Sequence, residues 1–122
     1  MDSGIVTYSQ LGNMGRLGNS LFQVASTLAY AFEHKKSFVF PGWKYSPYMN
    51  RPLPVADVPN ATRYNEPSFT YTPIPFIEGN VDLFGYFQSR HYFEKHLPEI
   101  LPYITLNDHS FQYIKSKYGY YP

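Results

Sequence analysis

Leu21, Ala25, Leu28, Ala29 and Phe32 recur at three- and four-residue steps, the period of a helix that must bury one side. Two short β-rich runs bracket it. Gly4–Gln10 (GIVTYSQ) alternates and is β-branched at Ile5, Val6 and Thr7, and Ser37–Phe40 (SFVF) is a second strand of the same character. Glycines at 12, 15 and 18 end the first strand, Asn19 is of a type that caps the helix that follows, and Lys35 and Lys36 suit its electronegative C-terminus. Residues 4–40 therefore read as a β-loop-α-β unit, which commits the chain to an α/β fold built on a parallel sheet.

Downstream, Val81–Phe87 (VDLFGYF) predicts a third, buried strand. Ser89 is placed to cap a helix through Tyr92, Phe93 and Leu97 that Pro98 interrupts, and Asn107 or Asp108 to cap a last helix with Phe111, Ile114 and Tyr118 on one face and Gly119 at its end. Eight of the eleven prolines fall between Pro41 and Pro75, where no period is sustained. That stretch predicts a long irregular excursion, ordered but dependent on a partner. At 122 residues the whole is one domain's worth of chain, divided into 4–40, the excursion 41–75, and a strand with helices over 81–119.

Composition narrows the function classes. A net charge of +1 with scattered lysines and arginines gives no footprint for nucleic acid. Zero cysteines exclude a disulfide framework, a thiolate metal site and a cysteine nucleophile. The start MDSGIVTYSQ has neither the basic nor the apolar region of a signal peptide, and no run of about 18 apolar residues could span a bilayer. The expected location is cytoplasmic, free or at the membrane periphery. Thirteen tyrosines suit sugar-stacking surfaces, but tyrosine fills cores and strands too, and that explanation is the stronger.

The loop Asn13–Asn19 (NMGRLGN) lies where glycine loops often meet phosphate. It is not a P-loop, since Asn19-Ser20 supplies no lysine after the last glycine. Nor is it a dinucleotide fingerprint: it runs G-x-x-G-x-x-G, and the second strand ends in Phe40-Pro41-Gly42 without a ribose-binding acid. It does offer Arg16, whose guanidinium can pair bidentately with a phosphate, beside the backbone of Gly18 and Asn19. Two readings stand: a phosphate or sugar-nucleotide contact, or a helix cap next to a solvated charge. His34, His91, His96 and His109 show no metal-ligand spacing, so no metal is expected. Glu66, Glu78, Asp82 and Glu94 are candidate general bases that no motif singles out. Gln88 and Ser89 fall at the C-terminal end of the third strand, where open α/β sheets place ligands; the plainer role for Ser89 is a cap. Asn60-Ala61-Thr62 fits a glycosylation sequon, read as accidental without a secretory signal.

Gly15–Ala31 (GRLGNSLFQVASTLAYA) resembles the N-terminal signature G-x-L-G-N-x-(M/L)-F-Q-x-A of the α-1,2-fucosyltransferases, and Asp82–Ile100 (DLFGYFQSRHYFEKHLPEI) resembles their G-Y-F-Q-S-x-x-Y-F segment. Together these cover about a third of the chain, in the family's order. The resemblance implies the N-terminal part of a GT-B type glycosyltransferase with two Rossmann-like lobes. It also implies inverting transfer of fucose from GDP-fucose to the hydroxyl of a galactose-containing glycan, with no cofactor and no required metal. It assigns Gly15, Arg16, Leu17, Gly18 and Asn19 to the donor side, and Gln88 and Ser89 to the acceptor or cleft. Ser20 stands where glutamine is usual and Val24 where tyrosine is frequent. The H-x-R-R-G-D segment that holds the donor diphosphate is absent and is expected after residue 122, with a second, C-terminal lobe. The competing expectation is a non-catalytic module that retains the fold nucleus.

Overall fold

A computed structural model describes residues 4–110 and 112. The chain forms strand β1 (Ile5–Thr7), helix α1 (Leu17–His34), strands β2 (Ser37–Phe38), β3 (Thr62–Asn65) and β4 (Val81–Phe84), and helix α2 (Leu97–Ile104). The four strands make one all-parallel sheet in the order β2-β1-β4-β3, so the chain is an α/β protein. Val6 lies opposite Phe38 on one side and Val81 on the other, and Tyr64 lies opposite Leu83. Strand alternation gathers these residues on one face, where Val6, Val81 and Leu83 are completely buried and share a single core with Val24, Ala25 and Leu28 of α1. Burying a leucine the size of Leu28 contributes about 1.5–3 kcal/mol. The opposite face carries Thr7, Asp82, Phe84 and Arg63.

The β-loop-α-β unit forms as its pattern predicts, with shorter strands. β1 stops at Thr7 because Tyr8 turns toward β4, and β2 stops at Phe38 because Phe40 pairs instead with Val55 of the excursion. α1 begins at Leu17, so Asn19 is not its N-cap. Arg16 holds that position in extended backbone, and Asn19 sits in the first turn, its Oδ1 accepting from Arg16 N at 3.3 Å.

The first part of the Pro-rich excursion is held by contacts within this chain. Phe40 N donates to Pro54 O at 2.9 Å, Leu53 N to Ser46 Oγ at 2.8 Å, and Arg51 N to Pro102 O at 2.9 Å, while Trp43, Met49 and Leu53 are buried. The excursion also contains β3, which its irregular sequence does not announce.

Two further expectations are corrected. The stretch after Ser89 is not one helix: Arg90–Tyr92 and Glu94–His96 form separate 3-10 turns, with Ser89 Oγ capping the first by accepting from His91 N at 3.3 Å. Pro98 does not interrupt a helix but stands in the first turn of α2, where its missing N–H has no acceptor to lose. Asn107 caps a helical turn that starts at Asp108, its Oδ1 accepting from Ser110 N at 2.8 Å. Phe111, Ile114, Tyr118 and Gly119 lie outside the described residues.

Candidate functional site at the β1–β4 junction

β1 has β2 on one side, reached through α1, and β4 on the other. The loop after β1 and the turn after β4 meet at the C-terminal ends of these two neighbouring strands, the end at which parallel sheets hold ligands. Tyr8 stands between that loop and that turn. Its fully buried hydroxyl donates to the carbonyl of Gly85, accepts from Gly85 N at 3.3 Å, and lies 3.4 Å from Met14 Sδ in the glycine loop. Burial pushes the phenol up to about 12, with the Gly85 hydrogen bond opposing, so it stays a neutral donor. One hydroxyl thus ties the loop after β1 to the turn after β4.

The glycine loop is fixed from the helix side as well. Gln23 is completely buried, and its Nε2 donates to Met14 O at 3.0 Å. Gly15 takes φ 89°, and a Cβ there would lie 2.6 Å from Asn19 Cγ, so both conformation and space demand glycine. Ser20 N donates to Arg16 O at 3.0 Å, the start of the helical ladder, and the amides of Leu17 and Gly18 before it have no intrahelical acceptor. Arg16 is exposed, and its guanidinium has no hydrogen-bond or ion-pair partner among the described residues. Gly15, Arg16, Leu17, Gly18 and Asn19 therefore form one continuous surface at the electropositive end of α1.

The two segments that carry the sequence resemblance pack on each other. Ser26 Oγ donates to Phe87 O at 3.4 Å, the rings of Phe22 and Phe93 meet at 5.8 Å, and Glu33 pairs with Lys95 and His96 at 3.1 and 3.0 Å. Ser26 is about two and a half turns, roughly 14 Å, along α1 from Leu17. Gln88 and Ser89 thus follow a residue anchored to the middle of the helix, and no hydrogen bond joins them to residues 15–19. Gln88 is exposed; Ser89 is half-buried and spends its hydroxyl on the 3-10 turn.

Three of the four candidate bases are occupied. Glu66 accepts from Tyr86 N at 3.0 Å and Phe87 N at 3.1 Å through Oε1 and from the Tyr92 hydroxyl at 3.3 Å through Oε2. Asp82 takes Ser9 N at 2.9 Å and Ser9 Oγ at 2.5 Å, with Arg63 at 4.0 Å. Glu94 pairs with Arg90 at 3.2 Å and His91 at 3.1 Å. Glu78 is exposed and has no partner among the described residues. No group of three or more His, Cys, Asp or Glu capable of holding a metal occurs among the described residues, and no described helix is long and apolar enough to cross a membrane.

Tyr8 and Gln23 are the site residues that sequence reasoning missed. Gln23 had a visible signal, a polar residue amid the apolar stripe; Tyr8 had none, because its partner is 77 positions away. Comparison with protein-family models, curated proteins and solved structures returns no match.

Proposed function

We propose that the chain is the N-terminal, donor-facing part of an α-1,2-fucosyltransferase, a Rossmann-like lobe of GT-B type whose glycine loop contacts the diphosphate of GDP-fucose. The observation that carries this reading is Arg16: an exposed guanidinium with no partner among the described residues, beside the open first-turn amides of α1 in the loop that follows β1. The packing of the two motif segments on each other, Phe22 on Phe93 and Ser26 on Phe87, supports it by holding them in one lobe. Inverting transfer requires an acceptor hydroxyl to attack the anomeric carbon as the bond to GDP breaks, leaving negative charge on the diphosphate. A metal-free enzyme meets that charge with fixed cations and N–H donors, each worth about 3 kcal/mol of barrier. This sequence supplies Arg16 and the amides beside it but no H-x-R-R segment, so the 122-residue chain binds the donor without transferring from it.

Calorimetric titration with GDP-fucose, and with UDP-galactose as a base-mismatched control, tests this. The expected result is saturable binding of GDP-fucose that Arg16→Ala weakens about tenfold while circular dichroism stays unchanged. Equal binding by the variant contradicts the donor assignment and leaves a non-catalytic module as the reading.

A further inference from the structure

A cavity of about 300 Å³ lies along the flank of α1, away from the glycine loop, at the lower end of the volumes that hold small ligands. Ser26, Ala29, Tyr30 and Glu33 form its helical wall, the excursion at Tyr71–Ile74 its second side, and the 3-10 turns around Tyr92 and Lys95 its third. Two of its tyrosines have their hydroxyls fully engaged. Tyr30 OH donates to Pro75 O at 3.2 Å and accepts from Ile77 N at 3.0 Å, and Tyr92 OH accepts from Thr72 N at 3.1 Å while donating to Glu66 at 3.3 Å. Held by those bonds, both rings are rigid apolar walls. Tyr71 differs: it is 41% exposed, its ring stands edge-on to Tyr92 at 4.8 Å, and its hydroxyl has no partner among the described residues.

Glu33 and Lys95 supply the polar recognition. Lys95 Nζ and His96 Nε2 both meet Glu33 Oε1, at 3.1 and 3.0 Å, so Oε2 is left as an open acceptor and two of the three ammonium hydrogens as open donors. Those two bonds, led by the one from His96, also lower the Glu33 pKa and keep it a carboxylate. A phosphate would meet the repulsion of Glu33 and an ammonium that of Lys95. Two adjacent hydroxyls suit both groups, one donating to the carboxylate and the other accepting from the ammonium. We propose that this cavity binds a neutral hydroxylated ring, a pyranose, held through a vicinal diol by Glu33 and Lys95 and stacked on Tyr71. The site is separate from the glycine loop and stands whether or not that loop binds a sugar nucleotide.

Amide-resolved NMR titration of the whole chain with methyl β-galactopyranoside tests it, with cyclohexanol and inorganic phosphate as comparison probes. The expected result is saturable shifts confined to residues 26–34, 71–74 and 91–96, absent with both comparison probes, and weakened about tenfold in Glu33→Ala and in Tyr71→Ala. Both substituted side chains are nearly half exposed, so the variants keep the fold, as their unchanged spectra away from the cavity would show. The proposal is overturned if the pyranoside produces no saturable shifts there, if cyclohexanol or phosphate produces the same ones, or if both variants bind like the parent.

Discussion

The β-loop-α-β unit of residues 5–38 and the Pro-rich excursion of 41–75 are neighbours in sequence and opposites in how they acquire structure. In the first, local chemistry decides: β-branched runs make strands, a three-to-four period makes a helix, and Arg16 and Gly15 shape the turn between them. In the second, no local pattern exists. Trp43 and Leu53 are buried and β3 is paired because residues many positions away offer the partners. The contrast teaches that the first region should carry the cooperative stability and the second should depend on it.

Leu28→Asp tests that dependence most severely. It places an unpaired carboxylate at a completely buried position between α1 and the sheet, at a cost of about 3–5 kcal/mol. The expected outcome is loss of cooperative unfolding across both regions in urea melts; survival of a sharp transition would mean that α1 does not organise the excursion.

Alkaline pH probes the first region through Tyr8. Its folded pKa, about 12, exceeds the ordinary 10.0, so its contribution is fully present below pH 10 and is lost as the pH rises toward 12. Burial also raises the hydroxyls of Tyr30, Tyr64 and Tyr92, which adds in the same direction. Urea melts should show a loss of about 2–3 kcal/mol over that interval from Tyr8 alone, and a flat profile between pH 10 and 12 would contradict its burial.

Tyr30→Phe cuts the link between the regions. It removes the donor to Pro75 O and the acceptor from Ile77 N while leaving the ring in place, and should destabilise by about 1–3 kcal/mol. Hydrogen exchange should accelerate at Ile77 and leave β1 protected. Phe69→Ser stands at the other extreme: the ring is 92% exposed, and thermal melts should shift by no more than about 0.5 kcal/mol equivalent.

Legibility in the sequence follows the same division. The helical stripe could be read because each of its residues reports the same period, and the parallel sheet followed from one strand on either side of it. β3 was not legible: Thr62–Asn65 is short, largely exposed, and a strand only because β4 lies beside it. Pro98 misled because the same residue that breaks a helix interior begins a helix when it falls in the first turn. At the candidate site, the glycine loop was visible from glycine spacing and Arg16. The tie through Tyr8 and the engagement of Glu66 and Asp82 were invisible, because each depends on a contact many positions away, whereas Gln23 showed as a polar residue in the apolar stripe and Glu94 pairs locally with Arg90 and His91.

The claim on which this account turns is that the loop after β1 and the turn after β4 act as one site for a nucleoside diphosphate. Mapping amide shifts of the 122-residue chain during a GDP titration tests it most directly. The account predicts saturable shifts at Gly12–Asn19 together with Gly85–Phe87, coupled through Tyr8. Saturable shifts confined to other surfaces, or none at GDP concentrations that saturate an Arg-paired phosphate site, would contradict it.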